Sequence, residues 1–289
     1  RSLPDFLFQM TKIPVKHTPK VLRSVWSEMS RYFNSYEVRV IFSLVSFFLG
    51  ATPFDTPAVY TLLSYTEMVH DGYHNVEGGM YRIVEGLLRE AEKAGIKINY
   101  NVTVTGFDAS EKRNRAFIDS NGRRWEADFF VVNADAAMFR GRVFRRLAFS
   151  DEKLDRMQWT LAPLTLYLGV KGKMENIHHH NYFLGDGDYE PYSKGIFRNR
   201  VSLEKPYYYV NANAIFNPQS APAGCENLFI LVPVPDLRFK PDWSDRERIA
   251  DAVIKDLSER TGHNVEANLM TRVVLDPVDW QNMFGLYRG

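Results

Sequence analysis

The chain has 289 residues, of which 45% are hydrophobic and 25% charged, the composition of a globular protein that can bury a sizeable core. Its 36 basic and 35 acidic residues give no indication of nucleic-acid binding. A single cysteine, Cys225, excludes an internal disulfide framework and favours a reducing, cytoplasmic location. No run approaches the ~20 apolar residues that a membrane-spanning helix needs.

The first part of the chain is predicted to be mainly helical. Apolar residues recur at helical spacing in two groups, which are Leu22, Val25, Trp26, Met29 and Phe33, then Val40, Leu44, Phe47 and Phe48. A break at residues 50–53, Gly-Ala-Thr-Pro, ends the second of these helices. An amphipathic helix is predicted over 79–94, with Gly95 as its C-terminal cap.

Strands are predicted after this helix. Residues 96–100 alternate between apolar and polar, and residues 107–118 are typical of a hairpin. A tight Asn121-Gly122 turn follows. The apolar run 129–132 predicts a buried strand.

From about residue 150 the pattern changes to short aromatic-rich strands. They are predicted at 164–170, 182–184, 207–212 and 228–232. The last of these follows a polar loop, and Pro233 and Pro235 are expected to end it. A helix is predicted over 244–261, with Ser244 and Glu247 as a capping box.

Four segments resemble, in order, the motifs of bacterial-type phytoene desaturases, which are FAD-dependent enzymes of the amine-oxidase-like superfamily. They are FSLVSFFLGATPFDTPAVYTLLSY at 42–65, HNVEGGMYRIVEGLLREA at 74–91, FNPQSAPAGCENLFILVPVP at 216–235 and DPVDWQNMFGLYRG at 276–289. The resemblance implies a mixed α/β fold, in which a substrate domain of mixed sheet and helices accompanies the middle segment of an FAD-binding Rossmann-like domain. The expected division is a helical, substrate- or membrane-facing region 1–72, the FAD segment 73–149 and a substrate-binding domain 150–289.

The sequence lacks the G-x-G-x-x-G turn that brings backbone N–H groups close to a dinucleotide pyrophosphate. It begins with Arg1 rather than Met and stops after Tyr-Arg-Gly. We therefore expect an internal fragment of a larger enzyme, inactive alone and weak in FAD binding.

The resemblance implies several contacts with FAD. It assigns Gly78, Gly79 and Met80 to a turn beside the flavin, where small residues permit close backbone approach. A plain helix-starting turn is the alternative. The backbone of Val104 would face the adenine, as a strand of this kind does in related flavoproteins, although a plain core valine is equally consistent with the pattern.

Asn133 and Ala134 resemble the family's Asn-Ala-Asp at a strand end, where the dinucleotide would pass close to the small side chain. The next residue, Asp135, is predicted instead to cap the following helix. Arg39 is the candidate for a charged side chain near the reacting centre, by resemblance to a segment D-x-x-L-R-x-x-F-S. Here Ser35 replaces the acid, and a surface ion pair of Arg39 with Glu37 or Asp55 is the alternative.

The implied reaction is dehydrogenation of phytoene or a related carotene, with hydride passing to the flavin. A hydrocarbon substrate requires an apolar, aromatic tunnel. Candidates for its lining are Phe42, Phe47, Phe48, Tyr60, Tyr65 and Tyr207–Tyr209, although each is also a typical core residue. Residues 178–180, His-His-His, do not predict a metal site, because consecutive strand residues point to opposite faces.

Residues 1–32 carry six basic and two acidic side chains among apolar ones, a pattern that suits peripheral contact with an anionic membrane. Packing on a neighbouring domain is the alternative. Two other functions stay open: a carotenoid isomerase or retinol-saturase-like flavoenzyme, and an apolar-lipid binding module without catalysis. A G-x-G-x-x-G turn in the intact protein would favour the flavoenzymes.

Overall fold

The structure is a computed structural model that describes residues 22–70, 72, 74–108, 115–185 and 188–289. Most of the predicted membrane-facing segment, residues 1–21, therefore lies outside the described residues. The chain forms two compact units. The first holds the described residues of Arg1–His74 and Asp186–Val201, and the second holds those of Asn75–Gly185 and Ser202–Gly289. The predicted division at 72/73 and 149/150 stays a prediction.

The chain combines helices with two antiparallel sheets, which confirms the predicted mixed α/β class. The α-helices are α1 Val25–Tyr32, α2 Tyr36–Ser43, α3 Val45–Phe48, α4 Thr61–Tyr65, α5 Tyr81–Lys93, α6 Ala136–Met138, α7 Asp151–Asp155, α8 Tyr189–Gly195, α9 Arg246–Thr261 and α10 Pro277–Phe284. The strands are β1 Val104–Asp108, β2 Ala116–Asp119, β3 Arg124–Glu126, β4 Ala162–Lys171, β5 His180–Phe183, β6 Tyr208–Ala212, β7 Cys225–Val234 and β8 Leu269–Leu275.

The first unit is helical, and serine side chains cap the first turns of α1 and α2. Ser24 accepts a hydrogen bond from the Ser27 N–H and so caps α1, while Ser35 accepts one from Val38 and caps α2. The core forms around Tyr189 of α8, which is 2% exposed. Its ring lies 5.8 Å from that of Trp26, and its hydroxyl lies 3.1 Å from Ser43 Oγ.

The second unit contains a small antiparallel sheet in the order β1-β2-β3. The predicted hairpin of β1 and β2 and the turn between β2 and β3 are both present. Asp119 stabilises that turn, because its carboxylate accepts hydrogen bonds from the N–H groups of Asn121 and Arg123. Gly122 has a positive φ of 80°, a conformation that glycine adopts without strain.

The larger sheet is antiparallel and has the strand order β5-β6-β7-β4-β8. Its even-numbered residues on β4 and β7 are buried, among them Leu166 and Ile230 at 0% exposure. Helix α9 covers this face, since Arg272 of β8 pairs with Asp251 and Tyr208 of β6 donates to Asp256. Each fully buried aliphatic side chain stabilises such a core by roughly 1.5–3 kcal/mol.

Two local predictions in this sheet were wrong. Strand β7 does not stop at Pro233 but passes through it and ends at Val234, directly before Pro235, so only the Pro233 half of the prediction was wrong. Pro233 lies opposite Pro163, and two residues without N–H groups can face each other at a non-hydrogen-bonded pair. Ser244 does not cap α9 either. Its hydroxyl donates to Asp242, and the carboxylate of Glu247 pairs with Arg272.

Two predicted strands are also wrong. Residues 96–100 and 129–132 form no strand, and the side chains of Phe129 and Val131 are 89% and 92% exposed. Their sequence pattern indicates a tendency to form strands. A strand also needs an adjacent strand that bonds its N–H and C=O groups. The part of the chain that the structure describes supplies no such neighbour to either segment.

The C-terminal Tyr287-Arg288 pair is held by the carboxylate of Asp155 in α7. Tyr287 Oη donates to it at 2.9 Å, and the Arg288 guanidinium binds both of its oxygens, at 2.8 and 3.1 Å. Arg238 adds a further link by donating to the Asp155 backbone carbonyl. Burial opposes ionisation of this carboxyl, but the hydrogen bonds from Arg288 and Tyr287 outweigh it and lower the pKa of Asp155.

This lowered pKa predicts a pH-dependent contribution to stability. A carboxyl whose pKa is depressed by folding stabilises the protein above its unfolded-state pKa of ~3.9, and the contribution is lost as pH falls through the folded-state pKa. The difference in unfolding free energy between wild type and Asp155→Asn should therefore be constant above about pH 5 and shrink below about pH 4. Urea unfolding at stepped pH measures it.

The matched control is Glu152→Gln, in the same helix. Glu152 forms an exposed pair with Arg156, and loss of such a pair changes the unfolding free energy by under about 1 kcal/mol. If the difference in unfolding free energy between wild type and Asp155→Asn stays unchanged down to pH 3, folding does not lower the pKa of Asp155.

Candidate active site

The Gly78-Gly79 turn has a backbone that only glycine adopts readily. Gly78 and Gly79 have φ values of 79° and 95°, and the Gly79 N–H donates to the Val76 carbonyl at 2.9 Å. This bond and the positive φ at the third position are those of a type II turn. Among the described residues, no heavy atom beyond its chain neighbours lies within 4 Å of where a Gly79 Cβ would stand, whereas a Gly78 Cβ would meet the Arg82 side chain at 2.9 Å. The turn therefore leaves space for close approach of a flavin at Gly79.

The loop between β6 and β7, which is remote in sequence, holds the Gly78-Gly79 turn by hydrogen bonds. The buried side chain of Asn217 donates through Nδ2 to the Val76 carbonyl at 3.2 Å. A second bridge joins Asn75 Nδ2 to Asn213 Oδ1 at 3.3 Å. The Gly78-Gly79 turn is therefore attached to the end of β6 in the large sheet.

The face of the large sheet opposite α9 carries a row of rings. The register places Tyr167 on β4, Phe229 on β7, Tyr209 on β6 and Tyr182 on β5 on this one side; we call these four residues the aromatic face. Successive ring centroids lie 5.3, 6.5 and 5.2 Å apart. Four adjacent strands span roughly 14 Å at the usual inter-strand spacing, so the rings form an extended apolar surface.

The aromatic face is partly open and electrically neutral. Tyr167 and Tyr182 are 38% and 37% exposed. His180 lies beside the face, with its Nδ1 2.5 Å from Tyr209 Oη. Burial, and then the neighbouring His179, lower the pKa of His180, while burial raises the pKa of Tyr209, so both side chains are uncharged at neutral pH.

The ring of His179 is held by two hydrogen-bonding partners. Its Nδ1 lies 3.1 Å from the Ala212 carbonyl, which can only accept, so Nδ1 carries the proton. Its Nε2 then accepts from the Asn211 amide at 3.2 Å. Within the described ranges no group of three or more His, Cys, Asp or Glu side chains could hold a metal ion.

Val104, Asn133 and Ala134 belong to the region around the small sheet. Val104 pairs with Asp119 across β1 and β2. Asn133 and Ala134 are exposed between two rings, Phe130 and Phe139, that pack on Phe117. The carboxylate of Asp135 accepts from the Met138 N–H at 2.7 Å, which confirms the predicted helix cap.

The predicted cofactor residues therefore lie in two places, both in the second unit. Gly78, Gly79 and Met80 are attached to the loop after β6, and Met80 is 65% exposed. Val104, Asn133 and Ala134 lie at the small sheet and the segment packed on it. Their contact with FAD stays a prediction.

Arg39 lies in the first unit and binds backbone carbonyls. Its Nε donates to Phe33 at 2.8 Å and its Nη2 to Asn34 at 2.9 Å. The two acids considered as its partners have other donors, since Glu37 accepts from Ser35 and Asp55 from Thr52. These bonds stabilise the turn between α1 and α2, and a role near the reacting centre stays a prediction.

Sequence reasoning missed the aromatic face as a unit. It grouped Tyr207, Tyr208 and Tyr209 as possible tunnel residues, but the first two are buried at 5% and 3% exposure. Only the strand register shows that Tyr209 pairs with Tyr182 and shares one face of the sheet with Phe229. The alternation along β7, in which Phe229 is an odd-numbered, half-buried residue, was the available signal.

The chain is similar over most of its length to curated carotenoid desaturases. It is 30% identical to a zeta-carotene-forming phytoene desaturase from Myxococcus xanthus, over 92% of this chain and 52% of that protein. It is 25% identical to a phytoene desaturase from Fusarium fujikuroi, over 99% of this chain and 53% of that protein. A 4,4'-diapophytoene desaturase from Methylomonas is 26% identical, over 92% of this chain and 53% of that protein.

Solved structures show the same fold. An oxidoreductase from Methanosarcina mazei aligns over 96% of this chain and 64% of its own, with a TM-score of 0.56 and 15% identity. A putrescine oxidase redesigned in its cofactor binding aligns over 92% of this chain and 55% of its own, with a TM-score of 0.56 and 13% identity. No model of a known protein family matches the chain. In the described ranges, no helix is long and apolar enough to span a bilayer.

The chain spans about half the length of the curated relatives. The alignments nevertheless cover 92–99% of this chain. The chain is therefore a homologue, over nearly its whole length, of the phytoene and diapophytoene desaturases that these relatives represent.

Proposed function

We propose that the intact protein is an FAD-dependent desaturase that dehydrogenates phytoene or a related carotene. The observation that carries this proposal is the uncharged aromatic face beside the Gly78-Gly79 turn. A polyene offers no hydrogen-bonding groups, so it is bound and oriented by apolar and aromatic surface. The names of the curated relatives support the same substrate class.

The chain's own residues would bind and orient the substrate. Tyr167, Phe229, Tyr209 and Tyr182 would contact the polyene along the sheet, and the neutral His180–Tyr209 pair would place no charge against it. The Gly78-Gly79 turn would hold the flavin at its open side, which is at Gly79, since the Arg82 side chain lies against Gly78. When bound, FAD supplies the acceptor for the hydride equivalent removed from the substrate.

We further propose peripheral contact of the cytoplasmic protein with a membrane, where its substrate dissolves. In the first unit, Ile41, Leu62 and Val69 have exposed fractions of 62%, 61% and 68%. Apolar side chains at this exposure suit an interfacial surface. Flotation of the intact protein with anionic liposomes, compared with neutral ones, tests this.

The test of function is made on the intact protein purified from a carotenoid-free host. We expect the visible absorption bands of an oxidised flavin, and coloured, longer polyenes after incubation with phytoene in liposomes. Flavin without any change in conjugation would favour an isomerase or a saturase instead. Absence of flavin would contradict a flavoenzyme and favour an apolar-ligand binding protein.

A further inference from the structure

Asn217 lies in a polar loop, yet its side chain is buried. It is 4% exposed, and its two backbone hydrogen bonds shape the loop itself. Its N–H donates to the Asn213 carbonyl at 3.0 Å, and its own carbonyl accepts from the Ser220 N–H at 2.9 Å. Its Nδ2 reaches a different part of the chain, the carbonyl of Val76.

That carbonyl is the acceptor that closes the Gly78-Gly79 turn. Val76 O receives the Gly79 N–H at 2.9 Å and Asn217 Nδ2 at 3.2 Å, using both of its lone pairs. The donor and the acceptor of the second bond are 141 residues apart in sequence. The orientation of the turn is therefore set by two segments: the loop that precedes β7 and the residues on either side of the turn.

The same loop also meets the aromatic side of the sheet. Asn213 follows β6 directly, and Asn211 of β6 bonds the ring of His179. The ring of Phe216, next to Asn217, lies 5.0 Å from the His179 ring. One short loop thus holds both the end of the strand that carries Tyr209 and the turn that carries the two glycines.

We propose that Asn217 is a positioning residue that sets the Gly78-Gly79 turn against the aromatic face. This inference rests on the proposed flavin role of the turn for its functional meaning. Its physical content, that the Asn217 amide holds the turn, is independent of that role. Asn217 acts through the turn and is not itself a catalytic residue.

The test compares amide hydrogen exchange in the intact protein, followed in peptides that cover residues 75–80. Asn217→Ala should speed exchange there by about fivefold, the effect of losing one net hydrogen bond, with no change in peptides of β4. Asn217→Asp keeps the shape but removes the donor, so it should speed exchange at least as much. Exchange that stays unchanged in both variants would overturn the inference.

The matched control is Asn227→Ala. Asn227 Nδ2 donates to the Ser220 carbonyl at 3.1 Å, a bond of the same type at the other end of the same loop, without contact to Val76. It should leave exchange at residues 75–80 unchanged. If it speeds that exchange as much as Asn217→Ala does, general loosening of the loop explains the effect and the inference fails.

A second readout separates this inference from the proposed function. FAD titrated into the apoprotein should bind several-fold more weakly to Asn217→Ala than to Asn227→Ala. Faster exchange at 75–80 with unchanged FAD affinity would support the positioning of the turn and contradict its role in holding the flavin.

Discussion

Replacing Gly185 with alanine is expected to destabilise the second unit by about 3 kcal/mol or more. An added Cβ at this position would overlap the backbone oxygen of Lys205 and stand 3.1 Å from the carbonyl carbon of Pro206. These are backbone atoms just before β6, whose first residue, Tyr208, pairs with Phe183 at the end of β5. Relief of the overlap would therefore have to separate the two strands.

Urea unfolding followed by far-UV circular dichroism measures this effect. Gly86→Ala is the matched control, because Gly86 lies inside α5 and its Cβ would meet nothing closer than 3.7 Å. That variant should gain roughly 0.5–1 kcal/mol from the higher helix propensity of alanine. A Gly185→Ala variant that loses under about 1 kcal/mol would show that the two chain segments do not approach so closely.

The large sheet was predictable from the sequence because its strands are short, apolar and bounded by turn residues. The runs at 164–170 and 228–232 lie within β4 and β7, and the burial that they predicted is present. Residues 129–132 have the same apolar signature, yet Val131 is 92% exposed. The local sequence pattern indicates which secondary structure a segment prefers. Whether a strand forms also depends on an adjacent strand, which the local pattern does not reveal.

The site was predictable in part, for a similar reason. Adjacent glycines mark a turn by themselves, so the Gly78-Gly79 turn could be found from its own residues. Its anchor, Asn217, is remote in sequence and resembles any loop asparagine. The aromatic face depends on register across four strands, and a shift of one residue would turn Tyr209 to the buried side.

A carboxylate placed in the middle of the aromatic face should abolish most of the activity while the protein stays folded. Phe229 lies between Tyr167 and Tyr209 in the row of rings. In Phe229→Glu, bound hydrocarbon would cover an unpaired charge, and this costs several kcal/mol. Since each ~1.4 kcal/mol changes a rate tenfold, we expect phytoene turnover by the intact protein to fall at least about 100-fold.

Phe229→Leu is the matched variant, because it removes the ring and keeps an apolar surface. It should retain turnover within about tenfold of wild type, as expected from a loss of roughly 1 kcal/mol of aromatic contact. Pigment extraction measures turnover, and the bound flavin and melting temperature of each variant report folding. Phe229 is only half-buried, so the glutamate can reach water when no substrate is bound, and folding should survive. If folded, flavin-loaded Phe229→Glu turns over phytoene as fast as Phe229→Leu, the polyene does not lie along this face, and the substrate path must be sought elsewhere in the protein.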